Sequence, residues 1–491
     1  MKHPTQKPSG TVRTANEKEN KMGTMPVNRL LLSMSLPIIV SMLVQALYNV
    51  VDSVYVSRIS EDALTAVSLA FPIQNVMIAV AVGTGVGVNA VLAKNLGAKR
   101  FDRVNLIAGN GVTLFFISFL AFVLIGAFLP LPYFRFMTDS AEIVRQGSEY
   151  IRIVTVASFG LFGQILFERL MQATGKTLFS MFTQGLGALI NIILDPFFIF
   201  DDFHLFGLSL RGLGMESAGA AVATVIGQCV AFALALFFNQ CFNHEVRISL
   251  PTLRLKKDAV REIYDVAVPS IAMASVGSVM NFFLNKVLIA FSTTAAAVFG
   301  VYFKLQSFIF MPVFGLNNGM LPILSYNFGA QKRKRLLQTL KLGITYAVSF
   351  MLCGMLVMML FPEQLLALFD ADGEMLHIGV SALRTISLSF VFAGICIPLG
   401  SLFQAVGRSI YSFWVSVARQ LVVLVPVAYV LKAVAKRAYE ADQAAGGSVH
   451  FSDYVNYVWW AFPIAEIMSL TATAVFTVAV FRSVLSKHTD C

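Results

Sequence analysis

The sequence predicts an all-α polytopic membrane protein whose twelve transmembrane helices form two parallel-repeat lobes of six helices each. Of the 491 residues, 57% are hydrophobic and 13% are charged, whereas a soluble domain carries about 25% charged residues. Apolar runs recur along the whole chain, and runs of about 20 residues cross a hydrocarbon core about 30 Å thick. The chain also repeats internally. Because the apolar runs do not alternate with polar residues, a transmembrane β-barrel is excluded.

Twelve spans are predicted from these apolar runs. Their ranges are 29–56, 63–93, 105–129, 143–171, 177–202, 216–240, 262–291, 295–325, 337–361, 375–404, 409–432 and 454–482. Basic loops stay on the cytoplasmic side of a membrane. The even-numbered connections contain KNLGAKRFDR, RLKKDAVR and QKRKR, and the odd-numbered ones contain RISED and DADGE. We therefore expect both termini in the cytoplasm, and we attribute the net charge of +10 to these loops rather than to nucleic-acid binding.

The repeat appears when the sequence is shifted by 232 positions. Residues 37–100 then align without a gap to the second half, with fourteen identities, where chance would give roughly five. NLGA at 95–98 falls on NFGA at 327–330, and QATGK at 172–176 falls on QAVGR. Because each half holds an even number of spans, the halves are parallel repeats related by an axis along the membrane normal.

The repeat divides the chain into four parts. We predict a disordered cytoplasmic tail over 1–25, an N-lobe of spans 1–6 over 26–242, a cytoplasmic linker over 243–261 and a C-lobe of spans 7–12 over 262–485. Two packed lobes with a shared interface indicate an alternating-access transporter, because a channel is usually built from identical subunits around one pore.

Motifs for catalysis are missing from the sequence. ATGKT at 173–177 resembles the end of a phosphate-binding loop, but Leu170 stands where the first glycine must be. The six histidines and five cysteines show no metal-ligand spacing. We therefore expect no enzyme and no cofactor, and an ion gradient remains as the energy source.

Two acids lie inside apolar spans of the N-lobe. An Asp at the centre of a helix costs about 2.5–3.5 kcal/mol on insertion scales, so such a residue normally faces a cavity and has a function. The repeat pairs Asp52 with Leu284 and Asp195 with Val427. Neither acid is therefore needed to build a lobe.

Other polar groups share the level of these acids. Counting at 1.5 Å per residue places Asp52, Asp195 and Thr224 roughly 9–12 Å below the outer surface. Asn191 lies one turn from Asp195 on the same helix face. Pro196 frees the carbonyl of residue 192. Such oxygen ligands suit a proton or Na⁺, and a structural hydrogen-bond network without ion traffic is the alternative.

Further candidates lie near this level. Gln45 and Tyr48 are placed to line the same cavity as Asp52. Glu168 lies nearer the cytoplasmic end of span 4, where a pair with Arg169 is the alternative to a role in the cavity. An adaptable apolar wall is assigned to Phe162, Phe167 and Met171. In the C-lobe, several basic residues are left without an assigned role: Lys286, Lys304, Arg384 and Arg419.

Several of these segments together resemble the multidrug and toxic compound extrusion (MATE) family, and its bacterial DinF/MepA-like branch in particular. They are LPIIVSMLVQALYNVVDSVYVSRI, NLGAKR, FERLMQATGKT, NIILDPFFIF and GAAVAT, and the likeness extends from about residue 26 to 485. The resemblance implies two six-helix lobes that exchange a drug for H⁺ or Na⁺. It implies cation coupling at Asp52, Asn191, Asp195 and Thr224, with Na⁺ as one candidate ion there.

The resemblance also implies that Glu168 binds cationic drugs. One departure concerns the NorM branch, which uses acids in spans 7 and 10. The sequence has acids in span 7 only at its cytoplasmic end, Glu262 and Asp265, and none over 380–404. A second cation site in the C-lobe is therefore not expected.

The function expected from the sequence is secondary active efflux of amphipathic organic cations in exchange for H⁺ or Na⁺. The protein is expected to be a monomer in the bacterial cytoplasmic membrane. The alternative is a lipid-linked oligosaccharide flippase of related build, which needs a wide basic cavity that Lys286 and Lys304 would serve. A non-transporting receptor is a further alternative, and the acids confined to one lobe argue against it.

Overall fold

A computed structural model describes residues 19–205, 208–369, 371, 373–445 and 450–484. The N-lobe consists of six spans, of which the fourth is a pair of helices. Spans 1–6 are Val27–Ser57, Glu61–Gly97, Phe101–Phe128, Ala141–Val156 with Phe159–Ala173, Thr177–Ile199 and Glu216–Phe242. Shorter elements are the helices Lys21–Thr24 and Pro130–Met137, and a hairpin of strands β1 (Asp202–Leu205) and β2 (Leu208–Arg211) in which Asp202 pairs with Arg211.

The C-lobe repeats this order. Spans 7–12 are Lys257–Ile289, Thr293–Gly329, Arg333–Leu360, Gly373–Ser387 with Phe390–Ala405, Ser409–Val417 continuing through a π-helical turn Ala418–Leu424 into Val425–Ala444, and Ala461–Ser483. The remaining elements are the short helices Pro362–Ala367, Leu250–Leu253, Phe451–Val455 and Asn456–Trp459. Ten helices of the described residues are long and apolar enough to cross a membrane, and the two bent pairs complete the predicted twelve spans.

The two lobes share local backbone features at the predicted spacing of 232 residues. The hydroxyls of Ser60 and Ser292 cap spans 2 and 8, each accepting a hydrogen bond of 3.0 Å from the backbone NH three residues later. Lys99 and Gln331, after the same spans, have φ of 56° and 57°. Gly175 and Gly407, after spans 4 and 10, have φ of 88° and 76°, a region that glycine adopts readily. The internal repeat is therefore present in the backbone structure as well as in the amino-acid sequence.

Spans 4 and 10 are bent, by 44° and 46°. A break in a membrane helix frees backbone carbonyls, which must find other donors in a medium without water. The Ser158 hydroxyl donates to the Thr155 carbonyl at 2.7 Å, and the Ser389 hydroxyl donates to the Ile386 carbonyl at 2.6 Å. The sequence predicts each of these spans as one continuous helix. The break is tolerated because the serine hydroxyls donate hydrogen bonds to the carbonyls that it frees.

Most helix ends differ from the predicted spans by several residues, and two of the differences concern the predicted linker and tail. Span 7 begins at Lys257 rather than at 262, so the connection between the lobes is shorter than expected. Residues 19–25 are not disordered, because they include the helix Lys21–Thr24, whose Met22 is fully buried. The rest of the predicted tail lies outside the described residues.

The lobes meet along glycine-rich faces at one end of the molecule. A Cβ atom at Gly83 would lie 2.5 Å from Ile271 Cγ1, and one at Gly329 would lie 1.9 Å from the Lys94 carbonyl oxygen. Small residues allow such close approach of helices in membranes. These contacts lie in the halves of the spans predicted to be cytoplasmic. Asn75 Nδ2 also donates to Ser278 Oγ across the lobes at 3.1 Å, so the two lobes are closed against each other at this end.

Candidate functional site

Asn191 and Asp195 lie one turn apart on span 5 and are buried inside the N-lobe, with 2% and 0% of their surfaces exposed. The Asn191 amide satisfies both neighbours when its nitrogen donates to Asp195 Oδ2 at 3.0 Å and its oxygen accepts from Thr224 Oγ1 at 3.2 Å. Thr224 is on span 6, which packs along span 5. The amide therefore ties the Asp195 carboxylate to the neighbouring helix.

Span 1 brings a second carboxylate to the same place. Tyr48 and Asp52 are four residues apart and share one helix face, and span 1 packs against span 5. Tyr48 interacts with Thr224 and with both carboxylates, and Asp52 interacts electrostatically with Asp195. One oxygen of Asp52, Oδ1, is buried without a hydrogen-bond partner among the described residues.

Tyr150 completes this group, with Gln74 as its hydrogen-bond partner, and neither residue is predicted from the sequence. Tyr150 is on span 4, is 3% exposed, and donates to Gln74 Oε1 at 3.4 Å. It also interacts with Asp52, Asp195 and Tyr48. The repeat offered a signal, because Tyr150 corresponds to Ala382 just as the acids correspond to apolar residues. We call the set Tyr48, Asp52, Tyr150, Asn191, Asp195 and Thr224 the N-lobe chamber.

The N-lobe chamber is rich in oxygen and lacks a compensating positive charge. Among the described residues, no Lys, Arg or His nitrogen lies within 4 Å of the carboxylates of Asp52 or Asp195. Carboxylate, amide and hydroxyl oxygens are ligands for a proton or a hard monovalent cation. A cluster of three or more His, Cys, Asp or Glu residues that would hold a metal ion is not found in the described part of the chain.

Glu168 lies apart from the chamber, on span 4, and is 2% exposed. Its carboxylate accepts hydrogen bonds from Thr183 Oγ1 at 2.7 Å, Gln184 Nε2 at 2.8 Å and Gln164 Nε2 at 3.0 Å. The alternative pairing with Arg169 does not occur among the described ion pairs, because the Arg169 guanidinium instead donates to Gln172 and, across the lobe interface, to Asn318 at 3.2 Å.

The residues expected to line a substrate wall divide into two groups. Gln45 is exposed and lies on the helix face of Tyr48 and Asp52. Phe162, Phe167 and Met171 are 2%, 8% and 0% exposed. Phe162 packs against Phe115 and Phe122, and Phe167 packs against Phe232. These three side chains pack in the core of the lobe in this conformation, and their role in a substrate wall stays a prediction.

The C-lobe has a polar cluster of a different kind. Arg419, in the π-helical turn of span 11, donates to Glu466 Oε1 of span 12 at 2.8 Å. Ser469 and Thr473 follow Glu466 on the same face of span 12, and all three side chains contain an oxygen without a hydrogen-bond partner among the described residues. We call these four residues the C-lobe cluster. Glu466 was missed by the sequence analysis, although it interrupts the apolar run AFPIAEIMSL.

The other basic residues of the C-lobe do not converge. Lys304 Nζ lies 5.8 Å from the centre of the Phe369 ring. Arg384 Nε donates to the Met359 carbonyl at 3.3 Å, and Lys286 is exposed. The wide basic cavity that a flippase needs is therefore not formed by these residues in this conformation.

Comparison with known proteins identifies the architecture. A family model described as MatE matches residues 37–197 and again residues 269–430, which together make up more than half of the chain. The chain belongs to the MATE family. The starts of the two matches are 232 residues apart, which confirms the repeat. Members of this family are membrane transporters rather than enzymes, so the chain is a multi-pass membrane transporter.

The relatives of this MATE protein cover most of its length. The multidrug export protein MepA of Staphylococcus haemolyticus is 26% identical over 82% of this chain and 86% of its own. The probable multidrug resistance protein YoeA of Bacillus subtilis is 25% identical, with 81% and 86% covered. An FAD transporter of Shewanella oneidensis is 23% identical, with 82% and 88% covered.

Solved structures confirm the fold. An outward-facing multidrug resistance MATE family transporter of the MOP superfamily is similar with a TM-score of 0.85, at 23% identity over 96% of this chain and 99% of that one. A MATE structure in a straight conformation is similar with a TM-score of 0.84. The predicted MATE-like fold is therefore confirmed.

Proposed function

We propose that this MATE transporter exports amphipathic organic cations in exchange for H⁺ or Na⁺ by alternating access. The observation that carries the proposal is the N-lobe chamber, in which the buried Asp195 and the half-buried Asp52 lie together without a basic partner among the described residues. Buried charges are normally paired. The chamber therefore favours occupancy by a cation, and the coupling ion and the drug cation compete for it.

The exchange follows from this competition. When the cleft faces the cytoplasm, ionised Asp52 and Asp195 favour the organic cation. In the outward-open arrangement, H⁺ or Na⁺ enters from the far side and neutralises the carboxylates, which releases the drug. Asn191 and Thr224 hold Asp195 in place while its charge changes. A tenfold ion gradient supplies about 1.4 kcal/mol, and 100 mV supplies about 2.3 kcal/mol per charge moved.

The remaining expectations belong to the same proposal. Glu168 binds the cationic group of a drug when its hydrogen-bonded donors rearrange, and Gln45 lines the route to the chamber. The protein acts as a monomer in the bacterial cytoplasmic membrane with both termini inside. The negative chamber argues against an anionic cargo such as FAD, the cargo named for the Shewanella oneidensis relative.

Proteoliposomes loaded with ethidium test the proposal. Separately imposed pH and Na⁺ gradients should each be compared with no gradient, and one of them should accelerate ethidium efflux. FAD and an anionic lipid-linked sugar serve as competitors. An ethidium efflux rate that neither gradient changes would contradict cation exchange. Inhibition of efflux by the anions but not by other organic cations would contradict it as well.

A further inference from the structure

Residues 19–25, which we call the N-terminal strap, bridge the two lobes on the face predicted to be cytoplasmic. They form a single helical turn, Lys21–Thr24, ahead of span 1. Met22 has 0% of its surface exposed, and Gly23 is buried as well. Burial at this level shows that the strap is packed into the protein rather than lying on its surface.

The strap contacts the N-lobe at the turn between spans 4 and 5. Asn20 Nδ2 donates to the Thr174 carbonyl at 3.0 Å and to Glu245 Oε1 at 3.2 Å. Glu245 also pairs with Lys176 of the same turn. The Lys21 stem lies against Gly175, where a Cβ atom would be 3.0 Å from Lys21 Cε.

The strap contacts the C-lobe through its backbone carbonyls. Arg335 Nη2 donates to the carbonyls of Met22 and Met25 at 3.2 and 2.7 Å. Lys332 Nζ donates to the Gly23 carbonyl at 3.0 Å and pairs with the Glu19 carboxylate at 2.5 Å. Asn327 Nδ2, at the end of span 8, donates to the Met22 carbonyl at 3.2 Å.

An inward-facing state must separate these two sets of anchors, because the lobes are in contact at this end in the present conformation. The strap continues directly into span 1 of the N-lobe, so the contacts that must break are those with Asn327, Lys332 and Arg335. We propose that the N-terminal strap is a latch that stabilises the cytoplasm-closed state and that its release from the C-lobe is a step of every transport cycle. This inference rests on the proposed function only in assuming that the protein opens alternately to the two sides of the membrane.

Cysteine accessibility tests the latch without measuring transport. Ser35 on span 1 is 2% exposed, and its hydroxyl donates to the Leu316 carbonyl of span 8 at 3.3 Å. It is therefore covered only while the lobes are closed at this end. In a background without the five native cysteines, a Ser35→Cys protein in nanodiscs is treated with a membrane-impermeant maleimide. Ser180→Cys, 1% exposed inside the N-lobe, is the reference thiol.

Removing the C-lobe anchors should open the interface. The Lys332→Gln/Arg335→Gln double variant should raise the labelling rate of Ser35→Cys at least about fivefold, and the reference thiol should keep its rate. Lys257→Gln is the matched control, since it removes an exposed basic group of the same face and should leave labelling unchanged. The latch proposal would be contradicted if Ser35→Cys were labelled at the same rate with and without the double substitution. An equal rise in the labelling rate of Ser180→Cys would also contradict it.

A charge swap provides a second test that depends less on folding. Glu19→Lys should speed labelling about twofold, and adding Lys332→Glu should restore the slow rate. A Glu19→Lys/Lys332→Glu protein that is labelled as fast as Glu19→Lys alone would contradict the inference, because it would show that this ion pair does not hold the strap to the C-lobe.

Discussion

The N-lobe chamber is built partly on spans 5 and 6, the C-lobe cluster lies on the corresponding spans 11 and 12, and the two differ in charge balance. In the chamber, Asp52 and Asp195 have no basic partner within 4 Å among the described residues. In the C-lobe cluster, the single acid Glu466 is paired with Arg419 at 2.8 Å. The repeat pairs Asp195 with Val427 and pairs Arg419 with Gly187. The charged groups were therefore placed independently on a shared scaffold.

This difference in charge balance indicates which lobe requires a bound cation. A buried ion pair is neutral by itself, and replacing both partners with apolar groups is often tolerated. Two unpaired carboxylates in one chamber are not neutral and require a proton or another cation. Under the proposed function, the C-lobe cluster is a structural element and ion exchange takes place in the N-lobe.

The largest expected effect comes from removing one charge of the chamber. Asp195→Asn keeps the shape of the side chain and its contact with Asn191, but it cannot bind a cation as a carboxylate does. Gradient-driven ethidium efflux should fall on the order of 100-fold, which corresponds to about 2.7 kcal/mol. Glu466→Gln is the matched acid-to-amide change in the other lobe and should keep the efflux within about threefold of wild type.

The next effect concerns stability in the C-lobe. Glu466→Ala leaves the half-buried Arg419 guanidinium without its partner and should lower the free energy of unfolding by about 1–3 kcal/mol. The Arg419→Met/Glu466→Leu double variant should be as stable as wild type or more stable. Denaturant unfolding of the detergent-solubilised protein measures both. A double variant as unstable as Glu466→Ala would show that the pair has more than a structural role.

Glu168 adds a third kind of acid to the comparison of the two lobes. It is a buried N-lobe acid whose carboxylate accepts hydrogen bonds from three donors. Glu168→Ala leaves those donors unpaired and should cost about 1–3 kcal/mol of stability. Glu168→Gln should cost less than about 1 kcal/mol, because Gln184 Oε1 lacks a partner and its amide can turn to accept from the new donor. Ethidium binding measured on Glu168→Gln then reports the loss of charge alone, and unchanged affinity would remove Glu168 from the drug site.

The smallest expected effect is at Tyr150. Tyr150→Phe removes the hydroxyl that donates to Gln74 Oε1 at 3.4 Å, a bond worth about 0.5–1.5 kcal/mol. The ion concentration for half-maximal efflux should shift by no more than about tenfold, without loss of the maximal rate. A loss as large as that of Asp195→Asn would make Tyr150 a direct ligand of the coupling ion.

The sequence was sufficient for the fold and for the centre of the chamber. Apolar length and loop charge predict twelve spans, and helix periodicity with the repeat brings Asn191, Asp195 and Thr224 together. The remainder depends on tertiary contacts that have no periodic signal. The hydroxyls that bond to carbonyls at the breaks in spans 4 and 10 are recognised only when the neighbouring helices are in place. The same holds for the burial of Met22 in the strap. The sequence could not show that Phe167 and Met171 pack in the lobe core, because an apolar stripe has the same pattern in a core as in a cavity wall.

Ion displacement by a bound drug tests whether the drug and the coupling ion compete for the carboxylates of the N-lobe chamber. Ethidium is added to the purified transporter in weakly buffered detergent solution, and released protons are followed with a pH indicator while displaced ²²Na⁺ is followed in parallel. The account predicts release of H⁺ or Na⁺ by wild type and by Glu466→Gln, and its loss in Asp52→Asn and Asp195→Asn. Release that persists in both aspartate variants, or that disappears only in Glu466→Gln, would contradict an exchange site in the N-lobe.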